Sequence, residues 1–524
     1  MTSVCQVCEF HDGEQIIFVE ESVLIYEKSV IIKLAQYLGV NDMEKYRIEK
    51  DSLGEKRVPV DAYYGVQTVR AVENFPITGY RLDTAFINGL AIVKKAAARA
   101  NMEIGQLSPK IATAISRAAD EIIEGRLHDQ FVVDPIQGGA GTSANMNMNE
   151  VLANRALELI GEEKGNYKTI SPNTHVNMSQ STNDALPTAA NIAIIARLEE
   201  LLIEMELLHK ELLKKADEFD DMVKMGRTHL QDAVPIRLGQ EFKAYALMLK
   251  RDIKRVRATR NNTYDVNIGA TAVGTGLNAD LGYIERMLTY LNDYTGMPIR
   301  NSADLVDGTA NTDGYIEISG ALKTCMLGMS KMANDLRLMS SGPHCGLGEI
   351  NLPPRQPGSS IMPGKVNPVM LEVVNQVAFQ VAGNDLTIAM ASEAGQFEIN
   401  VMKPVMVFKV LESITIMKNV FDVFSKYCLS GITANKERME EYVNTSAGTI
   451  AALNPHLGYE LSAELAKEVL KTQKSIKEAV LEKGLLTAEE LEIILNPHEM
   501  TNPGIAGKEL IQISKVDSRV KENA

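Results

Sequence analysis

Apolar side chains recur at intervals of three and four residues along most of the chain after residue 85. Three segments show the pattern most clearly: Ile195, Leu198, Leu202, Met205 and Leu212; Phe242, Tyr245, Leu249, Ile253 and Val256; Ile318, Leu322, Cys325, Met329 and Leu336. Residues 369–391 and 401–427 repeat it less regularly. Because an α-helix turns once every 3.6 residues, this spacing predicts long helices, each of about 20 to 30 residues.

Many of these predicted helices are apolar on more than one face. Such helices bury themselves against several neighbours, so we expect an elongated bundle that also packs against other copies of the chain. The pattern changes around SGITANKERMEEY, residues 430–442. We predict four segments: an N-terminal extension of unknown role (1–42), a mixed, mostly helical N-terminal domain (43–182), a central helical-bundle domain (183–437) and a small helical C-terminal domain (438–524).

Charge and composition narrow the choice of partners. A net charge of −14 argues against nucleic acid or an anionic membrane surface as the main partner. The chain has no run of eighteen uncharged apolar residues, as a membrane span needs, and no basic start followed by an apolar core, as a secretory signal has. Its cysteines number five, an odd count that does not favour a disulfide scaffold. These features indicate a reducing cytoplasm. Cys5 and Cys8 form a CxxC pair near His11, but no second ligand pair accompanies them, so we predict no metal site there.

Four polar, glycine-rich breaks interrupt the helical pattern. They are GGAGTSANMN (138–147), QSTNDALPT (180–188), GRTHLQDAVP (226–235) and GSSIMPGKVNP (358–368). Each places neutral hydrogen-bonding side chains ahead of a helical pattern, where unpaired backbone N–H groups and the helix dipole favour an anion. Any one of them alone is typical of a helix cap. Four together, poor in acidic residues, indicate a composite site for a small carboxylate.

The last of these loops also has to be compared with a nucleotide-binding P-loop. A P-loop has four residues between its first glycine and the Gly-Lys pair, and a serine or threonine follows the lysine. Here five residues separate Gly358 from Gly364, and Val366 follows Lys365. No strand pattern precedes the loop. We therefore do not expect nucleotide binding at this loop.

Longer motifs connect these loops to a known family. DAYYGVQTVRAVENF, HVNMSQSTNDALPT, GRTHLQDAVPIRLGQEF, GSSIMPGKVNP and ALNPHLGYE resemble the aspartase/fumarase superfamily of lyases, in the order of that family, from about Arg47 to Gly507. GGAGTSAN, QSTND and AYYG resemble its aspartase branch. The resemblance implies a mainly α, three-domain fold in which a central bundle of long helices forms the core of a homotetramer, with active sites drawn from three subunits.

The resemblance also implies a reaction. We expect reversible elimination of ammonia from L-aspartate to give fumarate, through an enediolate intermediate. The alternative is the class II fumarase reaction, from L-malate to fumarate and water, and a third reading is a catalytically silent helical assembly on this fold. No cofactor is required for this chemistry, no metal ligand is predicted, and activation by Mg²⁺, as seen among aspartases, stays open.

Site residues follow from the family motifs. The general base maps onto Ser359, although His229 is the choice from side-chain chemistry alone, because its imidazole titrates near neutrality. Glu372 is expected to act with His229. Substrate binding maps onto Thr142, Ser181, Thr182, Asn183, Thr228, His229, Ser360, Lys365 and Asn367. Of these, Thr142, Ser181, Thr182 and Ser360 are expected around the carboxylate that becomes the enediolate.

Overall fold

A computed structural model of the protein describes the backbone of residues 6–9 and 15–18 and, in full, residues 46–472 and 474–511. The side chains of Cys5, Cys8 and His11 lie outside the described residues. The chain forms two compact units, Met1–Ala62 and Tyr63–Ala524. The predicted boundaries after residues 42, 182 and 437 stay predictions.

The first unit contains two antiparallel hairpins. Strand β1 (Gln6–Glu9) pairs with β2 (Gln15–Phe18), and β3 (Tyr46–Asp51) pairs with β4 (Gly54–Pro59). The guanidinium of Arg47 donates to the backbone carbonyls of Pro59 and Ala62 at 2.9 and 2.7 Å. These bonds fasten the chain that leaves β4 to the start of β3.

The second unit is mainly helical, which confirms the predicted fold class. Its helices are α1 (Val66–Asn74), α2 (Thr84–Glu103), α3 (Pro109–Ile123), α4 (Thr142–Leu159), α5 (Thr182–Glu218), α6 (Leu238–Thr263), α7 (Leu281–Thr295), α8 (Leu305–Ala310), α9 (Asp313–Met339), α10 (Val369–Glu393), α11 (Lys403–Tyr427), α12 (Lys436–Thr445), α13 (Asn454–Leu457), α14 (Tyr459–Thr472), α15 (Ile476–Glu482), α16 (Ala488–Ile494) and α17 (Pro497–Met500). No described helix is long and apolar enough to cross a membrane.

Short strands and turns connect the helices. The strands are β5 (Val223–Thr228) with β6 (Gln231–Arg237), antiparallel; β7 (Asp265–Val266) with β8 (Arg300–Asn301), parallel; and β9 (Ile350–Asn351) with β10 (Thr433–Ala434), antiparallel. Single 3₁₀ segments lie at His128–Gln130, Leu429–Gly431, Ala447–Leu453 and Lys508–Leu510, and a π-helical turn lies at Pro172–Val176.

Five long helices, α5, α6, α9, α10 and α11, form the bundle. The predicted helical segments fall within them, except that the segment predicted at 401–427 starts two residues before α11. Their repeating apolar positions are buried, with Leu198, Leu249 and Leu322 fully inaccessible to solvent. The helices from α13 onward have a separate small core that includes Leu465, Val480 and Leu491. The long helices therefore supply the main scaffold, as their periodicity predicts.

Successive long helices run in opposite directions, so each end of the bundle collects alternate helix termini. The Thr182 end is the end of the bundle that holds the starts of α5, α9 and α11 and the ends of α6 and α10. The Ser359 end is the opposite end, which holds the other terminus of each of these five helices. The contacts that join neighbouring termini at the Thr182 end are Asn191–Asp265, Tyr315–Asn191, Thr312–Ser392 and Lys403–Thr309. Those at the Ser359 end are Lys224–Met339, Arg337–Asn375 and Lys215–Ile432.

The length of the helices sets the distance between the two ends. Helix α10 has 25 residues and α5 has 37. At a rise of 1.5 Å per residue, the two ends lie roughly 35 to 55 Å apart.

Candidate active site

Within one chain the predicted site residues divide between the two ends of the bundle. Thr182 and its neighbours start α5 at one end, and Asn145 of α4 joins the Thr142 loop to them by donating to Thr182 Oγ1 at 3.0 Å. The hairpin that carries His229 and the loop that carries Ser359 precede α6 and α10 at the other end. One set contains Thr142, Ser181, Thr182 and Asn183; the other contains Thr228, His229, Ser359, Ser360, Lys365, Asn367 and Glu372.

The Thr142 loop is shaped by a glycine. Gly141 has φ 92°, and a Cβ at this position would lie 2.0 Å from Leu186 Cδ1 on α5. Only glycine tolerates both the left-handed backbone and the close approach. The next residue, Thr142, is exposed, and its hydroxyl donates to the Gly139 carbonyl at 2.7 Å. The loop therefore packs directly on the start of α5 and presents Thr142 at its surface.

The start of α5 is fixed by its cap. Ser181 Oγ accepts from the Asn183 N–H at 3.1 Å, and Asp184 accepts from the Ser181 N–H at 3.0 Å. The cap residue is therefore Ser181. Pro187 has no N–H to bond the Asn183 carbonyl, and Asn267 Nδ2 donates to that carbonyl instead, at 3.0 Å.

A second hydrogen bond orients the Asn183 side chain. Its Nδ2 donates to the Ala272 carbonyl at 2.7 Å. This bond uses one of the two N–H groups of the amide and fixes the direction of the oxygen Oδ1, which accepts no hydrogen bond from the described residues. Asn183 thus presents Oδ1 as an acceptor and keeps its second N–H as a donor.

A set of hydrogen-bonded, mostly buried polar side chains lies next to the start of α5. Lys94 Nζ donates to Asn177 Oδ1 and Gln180 Oε1, both at 2.9 Å. Asn177 Oδ1 also accepts from Asn145 and Asn149 on α4, both at 3.2 Å. Lys94, Asn145 and Asn149 are all at most 1% exposed. We name Lys94, Asn177, Gln180, Asn145 and Asn149 the buried polar network.

Two charged groups inside this end have displaced pKa values. Burial lowers the pKa of Lys94 to about 7, and the Asp184 carboxylate opposes that shift. Burial raises the pKa of Asp184 to about 6, while backbone donors, among them the N–H groups of Ser181 and Thr271, and the charge of Lys94 oppose it. The two groups are fully buried and stabilise each other's charged form.

At the Ser359 end, His229 occupies a tight hairpin turn. The sequence placed GRTHLQDAVP ahead of a helix as a loop, but its residues form most of the antiparallel pair β5 and β6. His229 and Leu230 form the two-residue turn with φ values of 56° and 60°. Neither is glycine, so both backbones are in a conformation that L-residues seldom adopt. Both side chains are exposed.

An ion-pair cluster anchors this hairpin. Glu349 is completely buried and pairs with Arg227 at 2.8 Å and with Lys224 at 2.9 Å. Lys224 also pairs with Glu241 on α6 at 3.0 Å. Because Arg227 immediately precedes Thr228, the cluster fixes the strand that carries Thr228 and His229.

The Ser359 loop is closed by its own hydrogen bonds. Gly358 N–H donates to the Lys365 carbonyl at 2.8 Å, and Asn367 Nδ2 donates to the Gly358 carbonyl at 2.9 Å. A Cβ on Gly358 would lie 2.5 Å from the Lys365 carbonyl oxygen, so this closure requires glycine. Ser359 Oγ accepts from the backbone N–H groups of Ile361 and Met362, each at 3.2 Å.

The remaining predicted residues at this end face solvent. Ser360 and Lys365 are exposed. Helix α10 begins at Val369, so Lys365 lies in the loop that precedes the helix of Glu372. In the described part of the chain, no hydrogen bond or ion pair joins Glu372 to His229 or the Ser359 loop to the other three loops. In the described residues, no group of three or more His, Cys, Asp or Glu side chains is placed to hold a metal ion.

The buried polar network was not predicted from the sequence. Its signal is visible in NMNMNE, because Asn145 and Asn149 are four residues apart and share one face of α4, where an apolar residue is usual. Lys94 and Lys95 likewise interrupt an apolar stretch of α2, and Lys94 is the one that is buried. Polar residues at core positions of predicted helices would have identified three of the five members.

Comparison with known proteins agrees with this architecture. A family model described as "Lyase" matches residues 54–383, and one described as "Fumarase C C-terminus" matches residues 450–502. The chain is 64% identical to aspartate ammonia-lyase of a Bacillus species over 88% of this chain and 99% of that protein. It is 62% identical to aspartate ammonia-lyase of Bacillus subtilis over 90% of this chain and 100% of that protein.

A solved structure has the same fold. The fumarate lyase:delta crystallin from Brucella melitensis bound to cobalt superposes with a TM-score of 0.85 at 46% identity, covering 88% of this chain and 100% of that one. The family model spans more than half of the chain, and both Bacillus relatives are matched over nearly their full lengths. The chain therefore belongs to the aspartase/fumarase superfamily of lyases, as its motifs predict.

Proposed function

We propose that this protein is a carbon–nitrogen lyase that converts L-aspartate reversibly to fumarate and ammonia. The observation that carries the proposal is its 64% and 62% identity to two aspartate ammonia-lyases over almost their whole lengths. The loops that resemble the aspartase branch lie at helix starts and in a hairpin turn that present neutral hydroxyl, amide and imidazole groups. This surface suits a dicarboxylate substrate.

The active site is composite in this proposal. The residues around Thr182 and those around Ser359 lie roughly 35 Å or more apart in one chain, given the 25 residues of α10. A small dicarboxylate cannot bridge that distance. A homotetramer in which the Thr182 end of one copy meets the Ser359 ends of two others would complete the site from three subunits, as the family resemblance implies.

Ser359 takes the C3 proton of aspartate. A serine hydroxyl is a weak base, so its anion has to be stabilised strongly. The N–H groups of Ile361 and Met362 both point at Ser359 Oγ, at 3.2 Å, and would stabilise negative charge on that atom. Lys365 adds positive charge in the same loop. His229 then serves substrate binding, with Glu372 as its partner, instead of acting as the base.

Removal of the proton leaves charge on the adjacent carboxylate. Thr142, Ser181, Thr182 and Ser360 surround this enediolate in the proposal. The hydroxyls of Ser181, Thr182 and Ser360 donate to it, whereas the Thr142 hydroxyl has to release the Gly139 carbonyl before it donates. Neutral donors stabilise a charge that develops in the transition state without also binding the ground state tightly as a cation would. The capped start of α5 adds the positive end of its dipole at Ser181 and Thr182.

The rest of the substrate is held by the remaining groups. Lys365, Thr228 and Asn367 bind the second carboxylate, and Lys365 supplies the charge that the acidic protein lacks overall. Asn183 Oδ1, which is free to accept, contacts the leaving ammonium together with Thr142 and His229. Each side chain thus has a chemical task that matches its donor or acceptor state.

No step in this proposal uses a cofactor. Activation by Mg²⁺ and location in the cytoplasm stay predictions. A direct test incubates the purified protein with L-aspartate and, separately, with L-malate, and follows fumarate by ultraviolet absorbance. We expect fumarate from aspartate. Fumarate from malate alone would replace the proposal by the fumarase reaction, and fumarate from neither would support a catalytically silent assembly.

A further inference from the structure

Asn145 lies beneath the start of α5 and touches the hydroxyl of Thr182. Its side chain is 1% exposed, so it is closed off from solvent. One amide nitrogen, Nδ2, donates both to Asn177 Oδ1 at 3.2 Å and to Thr182 Oγ1 at 3.0 Å. Any influence on the reaction therefore passes through Thr182.

The direction of these hydrogen bonds is set by Asn177. Its Nδ2 donates to the Gln180 carbonyl at 3.2 Å, so the Asn177 atom that lies 2.9 Å from Lys94 Nζ has to be the amide oxygen. The Asn145 atom that faces this oxygen then has to be the amide nitrogen. The same nitrogen reaches Thr182 Oγ1, which therefore accepts. Because the Thr182 hydroxyl accepts this bond from Asn145, its own proton stays available for an acceptor on the side away from Asn145.

We propose that Asn145 is a positioning residue that, oriented by Asn177, turns the Thr182 hydroxyl proton toward the substrate carboxylate. This inference rests on the proposed reaction, since it assumes that Thr182 donates to the enediolate.

Asn149 provides a matched control. It lies one helical turn after Asn145, is fully buried, and donates to the same Asn177 Oδ1 at 3.2 Å. It has no hydrogen bond to Thr182 or to any other predicted site residue in the described part of the chain. Substitution of either asparagine removes one bond to Asn177, but only the Asn145 substitution releases the Thr182 hydroxyl.

The test compares Asn145→Ala, Asn149→Ala, Thr182→Val and the double variant Asn145→Ala/Thr182→Val in steady-state conversion of aspartate to fumarate. We expect Asn145→Ala to lower kcat about 30-fold with less than about a threefold change in KM, and Asn149→Ala to change kcat less than about threefold. In the Thr182→Val background, Asn145→Ala should cost less than about a threefold further loss. The proposal would be overturned if the kcat losses of Asn145→Ala and Thr182→Val multiplied in the double variant. Equal kcat losses in Asn145→Ala and Asn149→Ala would also overturn it.

A second variant covers a folding failure of Asn145→Ala. Asn145→Asp keeps the shape of the side chain but can only accept, so it draws the Thr182 proton away from the substrate and should lose at least as much kcat. A near-normal kcat in this variant would contradict the positioning role. An inactive wild-type protein would overturn the proposed function itself, whereas an active wild type without coupling would overturn only this inference.

Discussion

The Thr182 end and the Ser359 end hold their predicted site residues in different ways. At the Thr182 end, a capped helix start rests on fully buried groups, among them Lys94 and Asp184. At the Ser359 end, the side chains of His229, Ser360 and Lys365 are exposed. The Ser359 loop is closed mainly by bonds between its own residues. One end is preorganised by the core of its own chain, and the other presents its groups outward.

This difference has a physical reason. Groups that stabilise a developing charge work best when they are fixed before the reaction, because reorientation would cost free energy in the transition state. At the other end, the substrate anchor Lys365 is exposed and Ser359 is half-buried in one chain, because in the proposed tetramer this end faces the substrate and another copy. The comparison predicts that substitutions at the Ser359 end change activity without loss of stability, whereas those at the Thr182 end change both.

The largest expected effect is that of Ser359→Ala. We expect kcat for aspartate to fall about 10³-fold, since the general base is lost, while the substrate still binds. The thermal unfolding midpoint should stay close to that of the wild type. Ser430→Ala, at an exposed serine beyond the end of α11, is the control and should retain full activity. Near-normal turnover of Ser359→Ala would remove the base from the Ser359 end.

Lys94→Met examines the buried lysine of the Thr182 end. The pKa of Lys94 is about 7 in the folded protein and about 10.4 in an unfolded chain, so the unfolded state binds more protons between those values. The free energy of unfolding of the wild type should therefore rise with pH from about 7 to 10, by about 3 kcal/mol relative to Lys94→Met.

Denaturant unfolding of both proteins at several pH values measures this difference, and groups that do not interact with Lys94 cancel. Asp184 interacts with Lys94, so its pKa should rise in Lys94→Met and its titration belongs to the measured difference. Lys365→Ala is the exposed counterpart and should show the wild-type pH dependence. Parallel curves for wild type and Lys94→Met would show that the buried lysine keeps an ordinary pKa, and would weaken the contrast between the two ends.

Lys365→Ala is expected to have the smallest of these effects, a weaker binding of aspartate. Loss of one charge-assisted contact to the substrate carboxylate should raise KM for aspartate about 10- to 50-fold. Stability should not change, because the side chain is exposed. Lys436→Ala removes another exposed lysine near the same end and should leave KM as it is. An unchanged KM in Lys365→Ala would place the carboxylate anchor elsewhere.

The sequence predicts much of this molecule, but not all of it. Apolar side chains that recur with the helical period identified the long helices. The pattern is clear because each helix buries these positions, such as Leu198 and Leu322, against several neighbours. Local patterns failed where the conformation depends on distant partners. The hairpin around His229 is anchored by Glu349, which lies over one hundred residues along the chain.

The same limit applies to the candidate site. The motifs identified the four loops through resemblance, but not which of them meet. The contact between Asn145 and Thr182 joins two helices whose association no local pattern specifies. The separation of the two sets of loops is set by the length and direction of the long helices. The apolar period predicts their approximate length, but their relative direction becomes visible only when the bundle is assembled.

The central claim, that the Thr182 end of one copy works with the Ser359 end of another, is tested most directly by mixing two inactive variants. One carries Ser359→Ala and the other carries Thr142→Val and Thr182→Val, so every chain has one defective end. Refolding the two together in equal amounts should restore about a quarter of wild-type activity. About half of the sites receive an intact Thr182 end and, independently, about half receive an intact Ser359 end, so about a quarter receive both. Activity no higher than the mean of the separate variants would show that both ends act within one chain, and would contradict the account.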